Sequence, residues 1–411
     1  MSTTTDTTCP AHDGESLPAF PLARDARCPF DPPAQYADWR RENGPRRAMF
    51  YGEPVWVASR FADIRAALTD PRMSADNTQP GFPSVQAPAA QETPPSFTRM
   101  DDPEHARLRR MLTGEFTVKR VGQMRPQIQE LVDEFLDKMV EEGQSADLVT
   151  AFALPVPSMV ICLLLGVPYE DHEYFQGQST TLLSQAASGD EKSAAINALY
   201  TYMLGLVERK EREPDDALLS RLVRERVETG ELSREELAMN SMTLLFAGHE
   251  TTANMIGLST LTLLENPEQL TRVRDTEDPA LVAGAVEELL RYLTIPLDVV
   301  VRVAVEDLTI GDQLIRAGEG MVMNLPAGNR DAAFVDRPDT FDIDRSARGH
   351  LSFGYGVHQC LGQSLARAEL EIALPTLLRR LPGLRLTVPF EQVEFRYDMS
   401  TYGVRALPVT W

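Results

Sequence analysis

What the sequence lacks first is a basic excess. Its 411 residues carry 61 acidic and 40 basic side chains, a formal net charge of −21, which speaks against nucleic acid and anionic membranes as partners, since both recruit clustered positive charge. A secretory leader is missing too: Met1-Ser-Thr-Thr-Thr-Asp is polar and has no basic-then-apolar pattern. The most apolar stretch, residues 151–167, is broken by Pro155 and Pro157, which excludes an ordinary membrane span. Four cysteines (Cys9, Cys28, Cys162 and Cys360) show no disulfide-framework spacing, which fits a reducing cytoplasm. There is no Gly-x-Ser-x-Gly elbow and no phosphate-cradling glycine loop. His249-Glu250 is followed by Ala253 where a zinc protease needs its second histidine. No repeat and no low-complexity linker divides the chain.

What is present is mostly helical. After a Thr/Asp/Pro-rich start, residues 48–58 read as a hairpin around Gly52-Glu53, and 61–68 as a helix. Residues 77–95 have poor periodicity and the character of a lid, a binding loop or a disordered segment. Amphipathic helices are predicted after Pro103, over 121–142, 157–165 and parts of 171–225. Ser233-Arg-Glu-Glu236 is a capping box that opens a helix of about 30 residues, ended by Asn266-Pro267. Strands are predicted within 299–324 by alternation, and again at 384–388 and 404–409. The fold class is therefore mainly α with minor β.

Two stretches carry costly residues. Residues 353–362, Phe-Gly-Tyr-Gly-Val-His-Gln-Cys-Leu-Gly, lead directly into a helix. A cysteine there lies near backbone N–H groups and a helix N-terminus, which favour thiolate; the plain alternative is a small buried hydrophobe. The glycines let the backbone approach something large and flat. In the long helix, Ala247-Gly-His-Glu-Thr-Thr252 places a glycine, a carboxylate and two threonines in an apolar interior. Ala247 and Thr251 share a face, and small side chains at Ala247 and Gly248 make room beside a hydroxyl and a carboxylate. The alternative is that Thr251 bonds back to the previous turn and Glu250 is a surface residue. Glu288-Leu-Leu-Arg291 alone reads as a surface ion pair of small worth.

Together these residues resemble the cytochrome P450 family of haem-thiolate monooxygenases, through Phe353, Gly356, His358, Cys360 and Gly362, through Ala247–Thr252, and through Glu288 with Arg291. The resemblance covers essentially the whole chain and is nearest to soluble actinobacterial members acting on secondary metabolites and xenobiotics. It implies a triangular helical prism with small sheets around a buried haem b, formed as one catalytic domain over 21–411 after a flexible tail of 1–20. It implies Cys360 as metal ligand and Glu250 with Thr251 as the catalytic acid–alcohol pair. Cofactor contacts would come from His105, Arg109, Ala247, Gly248, Arg302, Phe353, Gly354, His358 and Gly362. Glu288, Arg291 and Arg345 would form a structural triad, and Leu182, Phe246, Ala247, Ile295, Val299 and Thr401 would line the substrate pocket.

The implied reaction inserts one atom of O2 into a bulky, largely apolar small molecule. A ferredoxin and its reductase would supply electrons, since the chain has no flavin- or cluster-binding segment of its own. Arg107, Arg110, Lys119 and Arg120 form either a docking patch for that ferredoxin or an ordinary solvated face. The implied protein is a cytoplasmic monomer. A peroxide-driven peroxygenase and a haem-based sensor are the competing readings; the intact Glu250-Thr251 pair and the lack of a fused output domain stand against them.

Overall fold

Ser233 and Glu236 begin the element on which the rest is assembled. The Ser233 hydroxyl accepts from the Glu236 N–H at 3.0 Å, and the Glu236 carboxylate accepts from the Ser233 N–H at 2.9 Å, the reciprocal cap that the sequence predicts. In the computed structural model, which describes residues 17–83 and 94–411, an unbroken helix then runs from Arg234 to Leu264. In chain order the helices are α1 (Gln35–Trp39), α2 (Phe61–Thr69), α3 (Glu104–Thr113), α4 (Val118–Glu142), α5 (Pro155–Leu165), α6 (His172–Leu183), α7 (Gly189–Arg212) and α8 (Leu218–Leu222). The long helix is α9, followed by α10 (Pro267–Asp275), α11 (Pro279–Leu293), α12 (Leu325–Gly328) and α13 (Gln363–Arg380). Helices α5, α7 and α13 pack directly on α9. It therefore buries side chains all round, Leu237, Leu245, Ile256, Leu258 and Leu261 among them, each worth about 1.5–3 kcal/mol.

The strands are β1 (Ala19–Phe20), β2 (Arg46–Phe50), β3 (Glu53–Ala58), β4 (Met73–Ser74), β5 (Ser145–Asp147), β6 (Val301–Ala304), β7 (Leu308–Ile310), β8 (Gln313–Ile315), β9 (Gly320–Met323), β10 (Arg385–Leu386) and β11 (Pro408–Thr410). The main sheet has the order β1-β2-β3-β9-β6-β4. Strands β3 and β9 run parallel with Trp56 opposite Met321.

Three expectations are corrected. Strands β6 and β9 do not alternate, because both of their faces are buried. Met321 and Ala304 face the α2 side, while Val301 and Val322 meet the aromatic cluster of Phe20, Tyr36 and Trp39. Residues 19–20 are not part of a free tail: they pair parallel with β2, and Phe20 is buried. The two C-terminal strands are shorter than predicted, and they close a sheet with β5, whose three residues are too few to show a period. The tail over 1–16 and most of the 77–95 loop lie outside the described residues.

Candidate functional site

The cysteine loop is folded by its own backbone. The Cys360 N–H donates to the Phe353 carbonyl (2.8 Å), Gln359 to Gly356 (3.0 Å) and Gly354 to Leu351 (2.7 Å). Gly354 and Gly356 sit at φ +68° and +74°, a region glycine enters without strain. The purpose of Gly356 differs from the predicted clearance for a flat body. A Cβ on Gly356 would lie 2.4 Å from the Leu68 carbonyl of α2, so this glycine lets the loop seat on a helix; Gly354 has nothing within 4 Å. Only Gly362 borders the sulfur, with a Cβ position 4.0 Å from Cys360 Sγ. Beneath the loop, the Arg367 guanidinium lies 4.5 Å over the Phe353 ring and is paired with Glu287.

Cys360 has accessible surface although it sits deep in the protein, so it opens on interior space. Burial pushes its thiol up, against the Gly362 N–H, Arg109 and Arg367, which pull it down. The backbone N–H groups of Gly362 and Gln363 pull toward thiolate as expected, but desolvation is the larger effect. A cation on the sulfur, such as a metal, would favour the thiolate.

On α9, Ala247 is exposed and Thr251 half-exposed, whereas Leu245, His249, Glu250, Thr252 and Ala253 are covered. The Thr251 hydroxyl donates to the Ala247 carbonyl at 2.8 Å, the back-bond weighed above as its structural alternative. Glu250 is 3% exposed, so it is no surface residue; Arg396, 146 positions away, forms an ion pair with it. Gly248 is explained by packing: its Cβ would stand 2.8 Å from Ile161 Cγ1, so glycine brings α5 against α9 rather than opening room for a cofactor.

Near Cys360 is a cluster of cations with few counter-charges. Arg109 Nη2 donates to the Gln359 carbonyl at 2.5 Å, tying α3 to the loop. Arg302 is buried and, among the described residues, donates only to its neighbour's carbonyl, Val301 (2.7 Å). Burial, then the charge of Arg99, holds the Arg302 guanidinium down at about 10. The His358 ring lies 4.0 Å from that of His105, tilted by 36°, and burial followed by Arg302, His105, Arg109 and Arg99 pushes its pKa down to about 3. His105 Nδ1 bonds Asp102 (2.9 Å), while its buried Nε2 has no partner among the described residues. Arg99, whose guanidinium lies 5.5 Å from the Phe82 ring, belongs to this cluster but carries no sequence motif.

Glu288 and Arg291 are fully buried, not a surface pair. Arg291 Nε and Nη2 donate to the two Glu288 oxygens (2.7 and 2.8 Å), and Arg345 Nε donates to Glu288 Oε1 (3.2 Å). The spare donors of Arg291 hold the Asn329 and Pro338 carbonyls (2.9 and 2.8 Å), fixing the irregular 329–345 segment. On the opposite side, three expected substrate-contact segments join through the backbone. Leu297 N donates to Ser400 O (3.0 Å), Tyr402 N to Ile295 O (2.9 Å), Ser400 N to Leu183 O (2.9 Å) and Gln185 N to Asp398 O (2.8 Å). Leu182 and Phe246 are half-buried and Val299 is exposed, but Ile295 and Thr401 are covered.

The family model described as Cytochrome P450 matches residues 46–394. The chain belongs to the cytochrome P450 family. It is 52% identical to Cytochrome P450-SU2 of Streptomyces griseolus over all of both chains. Pentalenic acid synthase of Streptomyces avermitilis is 49% identical over 96% of this chain and 97% of its own. The solved structure of mycinamicin VIII C21 methyl hydroxylase MycCI from Micromonospora griseorubida, bound to mycinamicin VIII, superposes with a TM-score of 0.90 at 41% identity, covering 96% of this chain and 100% of the other. The protein is thus a cytochrome P450 monooxygenase with haem b as its expected cofactor, taking a small molecule and O2. The residues present fit that group: one accessible sulfur beside three guanidiniums, and an orphaned imidazole nitrogen on His105, suit a metal in a dianionic ring. Among the described residues no helix is long and apolar enough to cross a membrane.

Proposed function

We propose that this P450 hydroxylates or epoxidises a bulky, largely apolar natural product or xenobiotic, drawing electrons from a ferredoxin and its reductase. The observation that carries the site assignment is the under-compensated cation cluster beside Cys360. On this reading Cys360 is the iron ligand, and His105, Arg109, Arg302 and His358, joined by Arg99, hold the two propionates. Charge-assisted bonds from these groups offset the burial of two carboxylates. Bound there, haem supplies oxygen activation, with thiolate donation favouring O–O cleavage. Thr251 has already committed its proton to Ala247, so it offers lone pairs and accepts a hydrogen bond. Glu250, steered by Arg396, moves protons toward it. Glu288, Arg291 and Arg345 brace the cofactor loop, and Leu182, Phe246, Ile295, Val299 and Thr401 face or frame the substrate.

Arg107 and Arg120 are engaged by Glu236 and Glu115. Arg110 and Lys119 pair with no carboxylate among the described residues, and beside Lys119 the Val118 side chain is 80% exposed. These groups suit an acidic ferredoxin. The names of the relatives, a pentalenic acid synthase and a mycinamicin hydroxylase, support a natural product as substrate. We take the protein to be a cytoplasmic monomer with one catalytic domain. In the reduced protein, CO should give the red-shifted Soret band of thiolate ligation, and Cys360→Ala should abolish it; a mutant that keeps the band overturns the ligand assignment. Turnover with NADPH, a surrogate ferredoxin and reductase should be O2-dependent, whereas product with peroxide alone favours the peroxygenase reading.

A further inference from the structure

One buried carboxylate joins three separated segments at the edge of the substrate wall. Asp298, between α11 and β6, is 3% exposed. Its Oδ2 accepts from the Tyr51 hydroxyl (2.6 Å) and from Gln185 Nε2 (3.3 Å). Tyr51 belongs to the β2–β3 turn of the main sheet, and Gln185 to the connection between α6 and α7. Tyr51 is 40% exposed, so its bond to Asp298 lies where solvent meets the interior. Tyr51 also stands at φ +47°, a region that residues other than glycine rarely enter, and such strain persists where the surroundings over-determine it. The Gln185 N–H donates to the Asp398 carbonyl (2.8 Å), the Leu297 N–H to the Ser400 carbonyl (3.0 Å), and Ser184 pairs with Met399 in a single bridge. Backbone bonds therefore make Gln185 and Asp298 parts of one body with the C-terminal turn. The Tyr51 hydroxyl ties that body to the sheet.

We propose that the Tyr51–Asp298 hydrogen bond is a clasp between the substrate wall and the β2–β3 turn, whose opening sets how fast a bulky ligand enters and leaves. The inference deepens the monooxygenase reading and rests on it, since that reading makes these segments the wall of the chamber. Turn tips and connections between helices are the parts of a fold that open at least cost. A hydrogen bond to a carboxylate is stronger than a neutral one, so the clasp stays shut most of the time. One such bond still breaks without unfolding either side. Gln185 steadies Asp298 from within the wall. Tyr51, Asp298 and Gln185 are positioning residues here, acting on passage rather than on the reacting atoms. Gating of this kind changes entry and release together, and a diatomic gas does not depend on it.

The test uses the haem-loaded protein with two ligands of different size, clotrimazole and CO, and stopped-flow absorbance. In Tyr51→Phe the association and dissociation rates of clotrimazole should both rise about tenfold, the scale of one hydrogen bond to a charged group. Its dissociation constant should stay within about twofold, and so should the rates for CO. Asp298→Leu should act in the same direction, and adding Tyr51→Phe to it should change nothing more, because the shared bond is already gone. If Asp298→Leu does not fold, Gln185→Met replaces it and should raise both clotrimazole rates by a smaller factor. Unchanged clotrimazole rates in Tyr51→Phe, or CO rates that rise as much, overturn the proposal. Hydrogen exchange over 183–188, followed by mass spectrometry, should also quicken about tenfold in Tyr51→Phe. That readout does not depend on haem. Loss of the thiolate CO band in the wild type therefore counts against the haem assignment, while unchanged exchange counts against the clasp.

Discussion

Arg396 shows what a single residue adds to a motif. Glu250 sits in a recognisable hexapeptide, but the group that fixes its carboxylate arrives from the far end of the chain. Nothing in the local sequence around Arg396 announces the pairing, because the contact is set by tertiary folding rather than by spacing. Arg396→Met should leave the CO spectrum and substrate binding close to wild type while lowering kcat on the order of tenfold to a hundredfold, the scale of a disturbed proton donor. Equal losses in binding and turnover would instead assign Arg396 to the substrate wall. Arg99 escaped sequence reading for a similar reason: an arginine in a short irregular segment has many plausible partners, and its place is visible only once Arg302 and His358 stand beside it.

At the scale of the element, α9 was legible because each of its signals is local. The capping box, the run of apolar residues and Asn266-Pro267 define it without reference to the rest of the fold. The cause of Gly248 was not legible, since it depends on which side chain of α5 presses there. Gly248→Ala should therefore destabilise by about 1–3 kcal/mol through overpacking, despite the gain of about 1 kcal/mol in helix propensity. Adding Ile161→Ala should recover part of the loss, so that the double variant is more stable than the sum of the singles predicts. Strict additivity in urea unfolding would rule out the Ile161 contact as the cause. The smallest strands were the least legible: β1 and β5 are two and three residues long and exist through their partners.

Two features govern the molecule as a whole. Glu288 and Arg291 join α11 to the 329–345 segment with no exposure to solvent. Glu288→Ala should cost about 3–5 kcal/mol, the toll of leaving a buried guanidinium unpaired, and should reduce haem retention, measured by Soret absorbance after purification. The second is pH. His249 is fully buried, its Nδ1 bonded to the Leu245 carbonyl (2.8 Å) and its ring edge-on to Phe175 (5.3 Å). Burial holds its pKa below the ordinary value. The unfolded chain takes up a proton below about pH 6.5 that the folded chain refuses. Stability is thus complete above that pH and declines as pH falls through it. Thermal midpoints should drop between pH 7 and pH 5, and His249→Gln should flatten that slope; an unchanged slope would move the effect to other groups such as His350, which burial also holds down.

The wall built from 183–185, 295–297 and 398–402 is tied together by backbone N–H···O=C bonds. Such bonds belong to every residue except proline as a donor, so they are indifferent to what each side chain is. On the proposed reading, exchanging Leu182, Val299 or Thr401 would alter what the substrate meets and leave the frame standing, whereas inserting or deleting one residue would break the register of several bonds at once. Relatives with this frame can take up new substrates by point substitution, one side chain at a time. The same frame makes length changes in these loops a poor route to new specificity.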